Sequence, residues 1–274
     1  MDNAPCQMGT RTTDHGSALN WITYTWFVGV PLCYMWLMGT FRSMGLWPEP
    51  SRRGTRRSDV LSFQIVAGLC CAYIAASGCH VLLNHPDYVV MAHDKVFGRS
   101  AFLENHVLIP MMVYQTWNLV ACLALPDLRD RTMAGHHVLA GLLVYFTLMP
   151  YMQYYAVFFC GVTELTSIPQ TIYSMFMYFP EHKTPFAWLF AGTKIVFAIS
   201  FITIRIFAWS VISVDFWLAS IPLLVDDKET PVVPVIFLAA NVFLTGLQFM
   251  WGTTIARRLL SAIGLTKRQK VDAK

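Results

Sequence analysis

The chain has 274 residues and a formal net charge of +4, and 55% of its residues are hydrophobic while only 13% are charged. This composition, with a mean hydropathy of +0.48, excludes an ordinary water-soluble domain of this length. The apolar residues form blocks of about 20, which is the length of α-helix that crosses a hydrocarbon core. The sequence therefore predicts an all-α, polytopic membrane bundle, and no interleaved basic and aromatic surface points to nucleic acid.

The apolar blocks predict about seven transmembrane helices. In chain order they cover residues 18–41, 60–83, 104–125, 134–149, 151–179, 186–213 and 232–256. The fourth block is short and meets the fifth at Pro150, so we expect a broken or tilted hairpin there. Residues 214–225 are too few to cross the membrane, and we expect them to lie at the interface or to re-enter.

The basic residues predict the orientation of this bundle. If the N-terminus lies outside, most of the 20 basic residues fall in the inner segments, above all in the Arg-rich first loop and the C-terminal tail. Lysine and arginine accumulate in cytoplasmic loops, so the C-terminus is predicted to be cytoplasmic. The outer segments and the spans hold only six basic residues, which are Arg11, Lys95, Arg99, Lys228, Lys194 and Arg205.

The chain divides into three predicted regions. Residues 1–59 hold an N-terminal tail, an accessory transmembrane helix and a loop with two prolines and several arginines. Residues 60–258 form a six-helix membrane unit, and residues 259–274 form a basic cytoplasmic tail. The remaining loops are short, which favours one membrane domain without an attached soluble domain.

Three ionisable residues lie within apolar spans. Because a charge at mid-membrane costs a few kcal/mol, Glu164, Lys194 and Arg205 are expected to face the bundle interior and to have partners. One interpretation is an ion pair that joins two helices, with Arg205 as the first and Lys194 as the second candidate partner of Glu164. The other is a polar cavity that holds a lipid or acyl group, with Asn118 and Asn241 among its further polar residues.

A pair of histidines opens the fourth predicted span. A neutral imidazole of His136 or His137 could serve as a nucleophile or general base near the membrane surface. Adjacent helical residues point about 100° apart, so only one of them is expected to be reactive. The alternative is a pair of interfacial hydrogen-bonding residues. No HxxxH or HExxH pattern accompanies them, and neither a metal nor another cofactor is predicted.

Five sequence elements, taken in order, resemble those of the TLC-domain family, which includes ceramide synthases and groups that influence membrane lipid composition. They are YQTWN (114–118), AGHHVLAG (134–141), GVTELTSIP (161–169), FAISFITIRI (197–206) and LAANVFLTGLQFMW (238–251). The resemblance implies a ring of six helices around a central cavity, lined or braced by His136, His137, Glu164 and Arg205.

Two departures from the family pattern bear on activity. Asn118 stands where the family commonly has Asp, and the segment YMQYYAVFFCGVTELTS (151–167) has neither His nor Asp where ceramide synthases carry a second His-Asp-rich element. The resemblance is therefore to a branch other than the ceramide synthases, and enzymatic activity is left open. Any catalysis would be acyl transfer.

The resulting hypothesis is a lipid- or acyl-chain-binding membrane protein that influences membrane lipid composition. Membrane lipids are the expected ligands, with acyl-CoA and membrane protein partners as further candidates. The alternative is a non-catalytic, lipid-binding structural subunit of a larger membrane complex. The family favours the endoplasmic reticulum, with another organelle membrane, including the mitochondrial one, as the alternative. The candidate catalytic residues are His136 and His137, and the candidate cavity residues are Asn118, Glu164, Lys194, Arg205 and Asn241.

Overall fold

The computed structural model describes residues 15–51, 53–149, 151–226 and 232–262. Across these residues the chain forms eight helices and no β-strand. Arg11, Pro150, Lys228 and nearly all of the predicted basic tail lie outside the described residues. The prediction of an all-α membrane bundle is confirmed.

Seven of the eight helices correspond to the predicted apolar blocks. The first five are α1 (His15–Ser43), α2 (Arg57–Asn84), α3 (Pro86–His93), α4 (Ala101–Ala124) and α5 (Arg131–Leu148). The last three are α6 (153–178), α7 (187–226) and α8 (Val232–Ala262). Within the described residues, four helical stretches are long and apolar enough to cross a membrane, namely Arg57–Asn84, Ala101–Ala124, Ala187–Leu224 and Val232–Leu260. The count of seven transmembrane helices stays a prediction.

Residues 214–225 depart from the prediction. They do not form a separate interfacial or re-entrant segment, because α7 continues without a break through Val214 to Asp226. Pro222 lies inside this stretch without ending it. Phe216 and Ser220 are buried, and α7 packs along α8 here, so the apolar face is covered by a neighbouring helix instead of by lipid headgroups.

The fourth predicted span is one continuous helix. Helix α5 begins at Arg131 because the Asp130 side chain accepts hydrogen bonds from the amides of Thr132 and Met133, which is a standard N-cap. It runs 18 residues to Leu148, so it is not broken along its length. Helix α3 was not predicted, since its eight residues are too few to give a membrane-span signal.

Helix α2 packs against α1, α4 and α6. Gly78 of α2 meets Gly161 of α6 so closely that a Cβ atom on Gly78 would stand 2.5 Å from the Gly161 Cα. Two glycines therefore let these helices touch backbone to backbone. Helix α1 is docked by Arg42, whose guanidinium lies 2.6 Å from Asp59 at the start of α2.

Candidate functional site

A cavity in two parts runs between helix α2 and helices α4 to α8. The larger chamber has a volume of about 450 Å³, and its lining includes Asp127, Met133 and Arg258 at one end of the bundle. The deep chamber has a volume of about 80 Å³ and reaches Phe216 and Phe237 towards the other end. Helices α4 to α8 all contribute side chains to the walls, which places the cavity within the predicted six-helix unit.

Four polar side chains belong to the walls of both chambers: Gln115, His136, Glu164 and Arg205. We call these four residues the collar. Beyond the collar, the deep chamber is mainly aromatic and aliphatic, with Tyr155, Phe159 and Trp209 among its walls. The cavity is therefore wider and more polar on one side of the collar, and narrower and more apolar on the other.

The collar contains a buried ion pair. An Nη atom of Arg205 lies 3.4 Å from a Glu164 carboxylate oxygen, and the two residues are only 8% and 7% exposed. Arg205 also donates to the Thr166 hydroxyl at 2.6 Å and to the Thr163 carbonyl at 3.2 Å. The prediction that Arg205 is the first partner of Glu164 is confirmed. A neutral pair with several hydrogen bonds is the form in which buried charges are tolerated.

Irregular helical turns place both charged residues. Glu164 lies on the 3-10 turn Val162–Thr166 of α6, shortly before Pro169, whose ring has no N–H to continue the regular helical hydrogen bonds. Arg205 lies on a π-helical stretch of α7, Phe201–Ala208. Such π-helical stretches occur frequently at functional sites. Pro169 is visible in the sequence, but nothing in the sequence indicates the π-helical stretch around Arg205.

The two histidines have different surroundings. The Nδ1 atom of His137 lies 2.6 Å from the Gln115 side-chain oxygen, and the residue is buried. The Nδ1 atom of His136 is buried and has no hydrogen-bond partner, while its ring lies edge-on to Trp251 with the centroids 5.8 Å apart. Both line the larger chamber, but only His136 also lines the deep one. His136 is thus the imidazole that stands at the collar.

The three other candidate residues lie in different places. Asn118 lines the larger chamber and donates to the Tyr114 carbonyl at 2.8 Å. Asn241 lines the deep chamber. Its side-chain oxygen accepts a hydrogen bond from the Trp217 indole N–H at 3.0 Å, and its side-chain nitrogen donates to the Ser213 hydroxyl at 3.1 Å. Lys194 is half-exposed and lines neither chamber, and no ion pair of the described part of the chain includes it. The structure therefore does not bring Lys194 to the cavity.

Helix α8 supplies a longer stretch of the cavity wall than its one candidate residue, Asn241, indicated. Asn241, Leu244 and Gln248 line the deep chamber, and Trp251, Ile255 and Arg258 line the larger one. These residues recur every three or four positions, so they form one stripe along a helix. At about 1.5 Å per residue, the stripe spans roughly 25 Å. The spacing of these residues is visible in the sequence, but the sequence does not show that this face of α8 meets the cavity.

The comparisons with known proteins give one match. A family model described as the TLC domain matches residues 61–257, which include every residue of the collar. No curated protein and no solved structure matches the chain. Together with the apolar helices, the match supports an integral, multi-pass membrane protein with a role related to membrane lipid.

Proposed function

The chain belongs to the TLC domain family, and from that premise we propose that it binds a lipid or acyl chain in its cavity and thereby influences membrane lipid composition. The observation that carries the proposal is the change at the collar from a wider, more polar chamber to a narrower, more apolar one. An amphiphile has the same division along its length. Each methylene group removed from water contributes about 0.8 kcal/mol, so the apolar walls favour the chain end of such a ligand.

The charges of the cavity favour a polar group at its wide end. Glu164 and Arg205 neutralise each other, which leaves the collar without net charge. Arg258 lines the larger chamber and is exposed, whereas the carboxylate of Asp127 at the same end accepts hydrogen bonds from Ser51 and Thr55. A guanidinium is a good partner for a phosphate or carboxylate, so membrane phospholipid headgroups and acyl-CoA are both candidate ligands for this end.

If the protein has catalytic activity, acyl transfer is the reaction that the collar suits. An imidazole can act as a base or nucleophile on an acyl carbonyl, and His136 is the histidine that faces both chambers. We place this activity in the endoplasmic reticulum on the strength of the family, with other organelle membranes, including the mitochondrial one, as the alternative. Fluorescence colocalisation of the tagged chain with markers of these organelles tests the assignment.

The proposal is tested by filling the deep chamber. Ala140 lines that chamber, so Ala140→Phe should remove a co-purifying lipid from native mass spectra of the protein. The matched control is Ala239→Phe on α8, since Ala239 is exposed and lines neither chamber. In a deletion strain, the control should restore the lipid profile and Ala140→Phe should not. Equal restoration by both variants, with no lipid on the wild type, would contradict the proposal.

A second candidate function is a lipid-binding subunit of a larger membrane complex. The exposed side of α7 supports this candidate. Only 22% of the apolar stretch of α7 is buried, whereas 44% or more is buried in each of the other three long spans. Native mass spectrometry separates the two candidates. A monomer that carries one lipid favours the first, and a stable multi-protein assembly that survives delipidation favours the second.

A further inference from the structure

The deep chamber holds an unusual concentration of unpaired polar atoms. Five buried side-chain nitrogen or oxygen atoms of the described residues have no hydrogen-bond partner, and three of them line this chamber. They are both amide atoms of Gln248 and the Nδ1 atom of His136. Gln248 is only 1% exposed. Leaving a buried polar group unpaired is costly, and native proteins rarely do so without a reason.

A second buried glutamine in the same bundle has hydrogen-bond partners for both atoms of its side-chain amide. Gln153 is fully buried, and its amide nitrogen donates to Glu104 at 2.7 Å and to the Thr147 carbonyl at 3.1 Å. Its amide oxygen accepts from the Ser100 backbone at 2.9 Å. The fold therefore pairs the side-chain amide of one buried glutamine and leaves that of the other, which lines the deep chamber, without a partner.

We infer that Gln248 and His136 form a hydrogen-bonding subsite for the hydroxyl group of a single-chain lipid, whose alkyl chain occupies the deep chamber. This inference rests on the proposed function and specifies its ligand. Gln248 offers both a donor and an acceptor, and a hydroxyl is the smallest uncharged group that satisfies both. An ether or ester oxygen only accepts, so it would leave the Gln248 oxygen unpaired.

The surrounding walls limit the ligand further. A carboxylate is disfavoured because Arg205, the cation at the collar, already pairs with Glu164. From Gln248 the chamber follows α8 to Phe237, a distance of about 16 Å at 1.5 Å per residue. A chamber this small leaves no room for a second chain beside the first. Water can also bond to the same atoms, so water alone is one outcome of the test.

The first experiment uses the wild-type protein purified at full length in detergent. Bound tritiated 1-dodecanol is displaced by unlabelled 1-dodecanol, by 1-methoxydodecane or by dodecanoate. We expect the ether and the carboxylate to be about tenfold weaker competitors, since each lacks one hydrogen bond or adds an unpaired charge. Equal potency of the alcohol and the ether, or no displaceable binding with only water beside Gln248 in a density map, overturns the inference.

The second experiment compares two identical substitutions. Gln248→Met should weaken 1-dodecanol binding about tenfold and raise the melting temperature of the ligand-free protein by about 2–4 °C, because it removes unpaired polar atoms. Gln153→Met should lower the melting temperature, because it leaves the Ser100 amide without its partner and removes one of the hydrogen bonds to Glu104. A Gln248→Met variant that melts earlier and binds 1-dodecanol normally overturns the inference.

The experiments distinguish an incorrect hydroxyl subsite from an incorrect proposed function. A lipid that co-purifies with the wild type but is lost in Ala140→Phe supports the proposed function, whichever competitor binds best. In that case, equal binding of the alcohol and the ether removes only the hydroxyl subsite.

Discussion

The Arg205 guanidinium and the Glu164 carboxylate, held 3.4 Å apart by turns of two different helices, form the one ion pair at the collar of the cavity. Removal of Glu164 alone leaves a buried arginine without its counter-charge, which typically costs 3–5 kcal/mol. Glu164→Leu should therefore lower the melting temperature strongly. The double variant Glu164→Leu, Arg205→Leu should recover part of the loss in the same thermal melt, and strictly additive losses would contradict the pairing.

The crossing of α2 and α6 gives a second prediction. Gly78→Ala and Gly161→Ala should each destabilise the protein, because the new Cβ would stand 2.5 Å and 2.7 Å from backbone of the other helix. Gly192→Ala and Gly246→Ala are matched controls, since nothing lies within 4 Å of a Cβ at either position. In a helix interior the control substitutions should stabilise by up to about 1 kcal/mol. Thermal melts that rank the four variants in any other order count against the close crossing.

The two histidines should respond differently to substitution. His137→Ala removes the bond to Gln115, so it should lose about 1 kcal/mol of stability. His136→Ala removes an unpaired nitrogen and should leave the melting temperature nearly unchanged. If an imidazole acts chemically, His136→Ala should abolish restoration of the lipid profile in a deletion strain. Full restoration by the double variant His136→Ala, His137→Ala would exclude a catalytic role for the pair.

The loop at the wide end of the cavity should depend on pH. Burial raises the pKa of Asp127, but hydrogen bonds from Ser51 and Thr55 outweigh this effect and hold the pKa below its usual range. Since the folded-state pKa is the lower one, the stabilisation is complete above the unfolded value of about 3.9 and is lost as the pH falls through the folded value.

Hydrogen exchange of the Thr55 amide, which donates to Asp127 at 3.2 Å, measures this effect directly. Its protection factor should fall as the pH is lowered below about 4 in the wild type. In Asp127→Asn it should be lower at neutral pH and nearly independent of pH. A wild-type protection factor that stays constant through this range would show that Asp127 does not hold the loop.

The orientation of the bundle is tested by a reporter. A fusion after Lys274 should behave as cytoplasmic, because the inner segments contain most of the basic residues. A fusion before Met1 should behave as external. An external reporter at the C-terminus would contradict the prediction of seven spans.

The sequence predicted the helices and the principal ion pair for simple physical reasons. A membrane span needs an uninterrupted apolar block, so the blocks gave the approximate bounds of the long helices. A charge within such a block needs a counter-charge, and that requirement indicated Arg205 as the partner of Glu164. The same reasoning predicted an interior position for Lys194, but this residue is partly exposed and lines neither chamber. A long lysine side chain can reach the membrane surface without a partner.

Features that depend on exact helical geometry were not predictable. Each extra residue in a helical turn rotates the following side chains by about 100°, so the π-helical stretch Phe201–Ala208 changes the direction of Arg205 relative to a regular helix. The side-chain amide of Gln248 is unpaired because the neighbouring helices place no hydrogen-bond partner beside it, and the sequence of one helix does not reveal this. The continuation of α7 past Val214 depends on its packing against α8.

The contact between Gly78 and Gly161 also has a consequence for genetics. Steric defects in a protein interior are commonly repaired by a second mutation that shrinks the opposing side chain. Neither partner at this crossing has a side chain to shrink, because both are already glycine. Intragenic suppressors of Gly78→Ala should therefore be absent at position 161 and should arise only where they let α2 and α6 move apart.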